Sequence, residues 1–212
     1  MKIKCLFAHR AIMFAFVLNV HNGKPMVWNG PLRYVIDPGP LGVLSNSAAA
    51  DLVRAAFGTW ENVTTGTITS RDEGFLQVDI TSANWRDFVT VSEEDCESAP
   101  PQSPIIFDSD GSIIEDYLGV GASLALGSFI RRPCFGEAFT YGYAVLNGTA
   151  VSSPVFDLVV IHELGHLIGL DHTQINIPLF FNSDRSDDRF VPVMFPIVGS
   201  NYRLPILNRD DI

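Results

Sequence analysis

Positive charge is scarce in this chain: 14 Lys and Arg stand against 24 Asp and Glu, a net charge of -10. Phosphate backbones are gripped by clustered Lys and Arg, so nucleic acid is excluded as a partner. No apolar run reaches the roughly 20 residues that span a bilayer, so no stable membrane span is expected. Internal repeats and low-complexity segments are absent, as are a phosphate-cradling glycine loop and a Ser/His/Asp nucleophile pattern. Histidine is rare as well. Of the five in the chain, three fall between positions 162 and 172.

What is present supports one folded unit. At 212 residues with 47% hydrophobic content, the chain can build one domain with a sizeable core and is too short for two full ones. A low charged fraction and many apolar residues exclude a largely disordered chain. Residues 1–20 carry Lys2, Lys4 and Arg10 ahead of the apolar run Ala11 to Leu18. They read either as a secretory signal or leader, or as a first strand, and residues 21–212 form the domain proper. If Cys5 belongs to a leader, Cys96 and Cys134 remain as an even pair, either a disulfide in an oxidising compartment or two free buried thiols.

The chemistry concentrates in His162-Glu163-Leu164-Gly165-His166-Leu167-Ile168-Gly169-Leu170-Asp171-His172. Residues four apart on a helix share a face, so His162 and His166 can reach one ion. Glu163 then sits beside the ion without binding it, which suits a general base. Gly169 can adopt positive φ at no steric cost and let the chain leave the helix, so that His172 returns as a third ligand. Three nitrogen ligands leave a fourth tetrahedral position open, the mark of a catalytic rather than a structural zinc ion. Such a pattern arises by accident on the order of once in 10⁵ chains of this length.

HELGHLIGLDH resembles the HExxHxxGxxH motif of the metzincin metallopeptidases at every specified position. Downstream, Pro192-Val193-Met194-Phe195-Pro196 is similar to the methionine turn of the matrixin branch. The resemblance implies zinc on His162, His166 and His172, with Glu163 as the catalytic base and Met194 as a floor beneath the histidines. Gly169 and Pro196 would support the site. The implied fold is an α+β zincin-like domain of matrixin type. A twisted mixed sheet carries two long helices, and the zinc helix is buried under it. The implied activity is endopeptidase cleavage of extended protein or peptide substrates by a secreted, monomeric enzyme of bacterial type. The alternative is an inactive zinc-binding interaction module of the same fold. Matrixins of vertebrate type hold a second zinc through further histidines that this chain lacks, so one zinc ion is expected. Leu207 to Ile212 resembles the first turn of the family's C-terminal helix, which makes the domain look incomplete at that end.

The remaining pattern places elements around this motif. Leu32 to Ile36 reads as a strand ended by Asp37-Pro38-Gly39-Pro40. From a cap near Ser45 or Ser47, Leu52, Val53, Ala56, Phe57 and Trp60 recur at helical spacing. Leu76 to Ile80, Ile105 to Phe107, Ala122 to Phe129 and Ala138 to Leu146 read as strands, with Ala122 to Phe129 the candidate partner for a bound substrate. The zinc helix is expected from about Pro154 and, being apolar nearly all round, must be buried. Asp108 and Asp110, near Glu115 and Asp116, offer oxygen atoms for a calcium ion or form a solvated acidic turn.

Overall fold

The structure, a computed structural model, describes residues 17–18, 20–21, 23–64, 66–89, 102–118, 127–131, 138–139, 141–173, 192–194 and 207. Four short strands come first: β1 (Val17–Leu18), β2 (Val20–His21), β3 (Lys24–Pro25) and β4 (Val27–Trp28). They are followed by β5 (Leu32–Ile36), α1 (Asn46–Glu61), β6 (Ser70–Phe75), α2 (Arg86–Val89), β7 (Ser103–Asp108) and α3 (Ser112–Leu118). Then come β8 (Gly127–Arg131), β9 (Ala138–Phe139), β10 (Tyr141–Asn147), α4 (Phe156–Ile168) and β11 (Leu170–Asp171).

Five of these strands form one mixed sheet in the order β6-β5-β7-β10-β8. β6, β5, β7 and β10 run parallel, and β8 pairs antiparallel with β10 at the edge. Parallel strands need crossover connections, and covering helices leave their central strands with no wet face. Every residue of β7 is accordingly buried. Alternation divides its side chains between two cores: Ile105 and Phe107 join α1 and α4, whereas Ile106 meets Ile80, Trp85, Ile113 and Ile114 on the opposite face.

Helix α1 starts where Ser45 accepts a hydrogen bond from the Ala48 amide. Its inner face presents Ala49, Val53, Ala56, Phe57 and Trp60, all buried, while Leu52 is only partly covered. α4 packs beside it on the same side of the sheet. Three of its turns are buried almost all round, as its composition requires, and it begins at Phe156 after a turn at Pro154.

The expected strand at Leu76 to Ile80 is corrected: the strand lies just before it, at Ser70–Phe75. The cause is its edge position. An edge strand keeps polar residues, and here Arg33 and Arg71 pair with Glu73 while Arg54 pairs with Asp72, so the segment carries no apolar alternation. Ile80 instead turns into the second core. α3 is a further element that the apolar pattern does not announce. Asp108 makes it, accepting the Ile113 and Ile114 amides on its two carboxylate oxygens.

Candidate metal centre

Two backbone carbonyls decide how the first two histidines face. Val193 O lies 2.6 Å from His162 Nδ1, and Leu170 O lies 2.9 Å from His166 Nδ1. A carbonyl can only accept, so each Nδ1 carries the proton and each Nε2 keeps its lone pair. Burial reinforces this. Desolvation pulls the His162 pKa down to about 4 and lowers that of His166, so both rings are neutral near pH 7.

The third histidine arrives by another route. Gly169 ends α4 at φ 114°, and its amide closes back on Gly165 O and His166 O. β11 follows and pairs antiparallel with β1, and the His172 amide then donates to Asp171 Oδ1. His172 Nε2 comes to 3.1 Å from His166 Nε2. Two nitrogens at roughly 2.0–2.1 Å from one tetrahedral ion are about 3.3 Å apart, so this spacing suits a shared metal. One ligand nitrogen from each of His162, His166 and His172 lies within 4.8 Å of the others, and this is the metal-capable group among the described residues.

Exposure is graded across the trio. His162 is 5% exposed, His166 is intermediate and His172 is open to solvent. Glu163, next to His162, is buried to 8% exposure. Met194 is fully buried against α4, and a Cβ on Gly165 would collide with its Sδ and come within 2.8 Å of Trp60 Cζ2. Glycine is therefore required at 165 by the close approach of α1 and the Met194 segment. Trp60 further donates its indole N–H to Ile161 O at 2.8 Å, and the Thr173 amide donates to Met194 O at 2.9 Å. The Thr173 hydroxyl is buried with no hydrogen-bond partner among the described residues.

The structure thus brings together His162, His166 and His172; Glu163 follows His162 on α4, Gly169 ends that helix, and Met194 packs against it at Gly165. Pro196, Phe195, Cys96 and Cys134 lie outside the described residues, as do Gln174 to Val191 and the first part of Ala122 to Phe129. Asp108 and Asp110 belong instead to the turn between β7 and α3. Asp108 is buried, its pKa raised by desolvation, and both its oxygens hold α3 amides; Asp110 accepts from the Ser112 amide. Asp108 thus starts α3 from a buried position, while Asp110 lies exposed on the turn. The groups that sequence reasoning missed are Val193 O, Leu170 O and the indole N–H of Trp60. Among the described residues no helix is long and apolar enough to cross a membrane. No family model matches the chain, and no curated protein matches it either.

Proposed function

We propose that this chain is a zinc-dependent endopeptidase of metzincin type, matrixin-like around Met194, acting on extended protein or peptide substrates. The observation that carries the reading is the trio of imidazoles gathered round one point, two with Nε2 lone pairs fixed toward it by carbonyl partners, with Glu163 adjacent. His162, His166 and His172 would hold a zinc ion, which would act as a Lewis acid towards a water molecule and a scissile carbonyl.

The protein's own residues do the rest. Glu163 takes the proton of the attacking water on its carboxylate and delivers it to the departing amine nitrogen. Met194 packs against α4 at Gly165, and the neighbouring Val193 carbonyl holds His162. The substrate lies along β8, the outermost strand next to β10, and pairs with it as an added strand. The N-terminal sequence pattern supports secretion, and the enzyme acts as a monomer.

The test is a digest of casein by the full-length protein with and without a zinc chelator, beside Glu163→Gln. Chelation abolishes cleavage, and Glu163→Gln keeps its zinc while losing roughly 10²–10⁴-fold in rate. Full cleavage by a zinc-loaded Glu163→Gln protein would overturn the role assigned to Glu163. Zinc uptake without cleavage by the unaltered chain would overturn the peptidase reading.

A further inference from the structure

The turn that carries His172 back toward the helix is braced from outside the histidine motif. Helix α4 ends with carbonyls that have no partner within the helix. Those of Gly165 and His166 receive the Gly169 amide. The next one, Leu167 O, receives the indole N–H of Trp28 at 3.0 Å, across 139 residues of sequence. Two residues on, Gly169 lies against Phe139, so closely that a Cβ there would come 2.8 Å from Phe139 Cε2. Trp28 and Phe139 are themselves in contact, with ring centroids 5.8 Å apart. They are register partners on β4 and β9, a two-stranded parallel pair separate from the main sheet.

We propose that Trp28 is a positioning residue for the metal site, holding the Leu167 carbonyl so that the Gly169 turn delivers Leu170 and His172 in place. The proposal rests on the metal reading above and extends it to a residue far from the motif. Its logic is a short chain of contacts. Trp28 fixes the last turn of α4, and Phe139 fixes Gly169. The carbonyl of Leu170, one residue further, holds His166 Nδ1, while His172 lies three residues beyond Gly169. If the Leu167 peptide rotates, the partner of His166 and the approach of His172 shift together. Groups that orient metal ligands through such contacts typically change metal affinity by 10–100-fold when removed.

The test uses metal-free full-length protein titrated with zinc against a chromogenic chelator, and with cobalt(II), whose absorption bands report coordination geometry. Trp28→Phe keeps an aromatic ring beside Phe139 while removing the N–H donor together with part of the indole. It is expected to bind zinc about tenfold more weakly and to show altered cobalt bands. Val53→Ala, a core truncation in α1 away from the turn, serves as the control for general loss of stability. It is expected to keep the zinc affinity and cobalt bands of the unaltered protein. Unchanged affinity in Trp28→Phe overturns the proposal, as does equal weakening in Val53→Ala. An unaltered protein that takes up no zinc overturns the metal reading itself, and with it this extension.

Discussion

His162 and His166 belong to a buried helix, whereas His172 sits on an exposed turn whose geometry is set by partners distant in sequence. The first pair is placed by packing: α4 is wedged against α1 and the sheet, and both Nδ1 atoms are engaged. The third histidine has an amide held by Asp171, a neighbouring strand pair with β1, and no burial. A site built this way is rigid on one side and adjustable on the other. Its helical half comes with the fold, while its turn half is set by a handful of directed contacts.

The largest expected effect breaks the two halves apart directly. Both His162→Ala and His172→Ala are expected to weaken zinc binding by more than about 100-fold, since each removes a ligand rather than a partner of one. Metal-free stability should separate them. His162→Ala leaves a hole in a packed region and strips Val193 O of its donor, costing about 2 kcal/mol. His172→Ala is a surface change and stays within about 0.5 kcal/mol. Denaturant unfolding of the two metal-free variants decides this, and equal destabilisation would remove the distinction between the halves.

The helical half is only as firm as the sheet under it, and Asp37 offers a way to measure that support. It is fully buried at the end of β5, where its carboxylate accepts the amides of Gly39, Ile80 and Phe107. Desolvation outweighs those donors, and with a contact from Asp79 it pushes the Asp37 pKa up to about 6. A raised carboxyl pKa means that the folded state holds its proton more tightly than the unfolded one. The contribution is complete below about pH 4 and is lost as pH rises through 6, a swing on the order of 3 kcal/mol. Asp37→Asn cannot titrate. The stability of the unaltered protein relative to Asp37→Asn should therefore fall between pH 4 and pH 7, measured by denaturant unfolding without metal, and parallel pH curves would refute the assignment.

The same contrast explains what could be read from sequence. Histidine spacing on a helix is a local regularity, so the gathering of His162, His166 and His172 and the turn at Gly169 were legible, as were α1 with its Ser45 cap and the boundaries of β5. Partners that act through the main chain were not. The sequence around Val193 and Leu170 does not announce that their carbonyls will orient histidines, and Trp28 is 139 residues from the carbonyl it meets. β6 was invisible for a different reason: an edge strand that pairs charges, Arg33 with Glu73 and Arg54 with Asp72, has the composition of a loop. α3 is signalled only by Asp108 and Asp110 before it, and acidic residues at that spacing suggest a cation before they suggest a cap.

The two glycines of the motif give the smallest and sharpest test, because each serves one half. Gly165 lies inside α4, where alanine is otherwise the better helix former, yet a methyl group there meets Met194 Sδ and Trp60. Overpacking of this kind costs about 1–3 kcal/mol, felt in the fold as a whole. Gly169 sits at φ 114°, a conformation that costs a residue bearing a Cβ about 1–3 kcal/mol, and its methyl group would press on Phe139. The strain there is local and falls on the segment that carries His172. Gly165→Ala should therefore lower the melting temperature of metal-free protein with little further change in zinc affinity. Gly169→Ala should lower zinc affinity by more than its loss of stability accounts for. If both glycine variants lose stability and zinc affinity in the same proportion, the turn is no more adjustable than the helix, and His172 is held by the fold as firmly as His162.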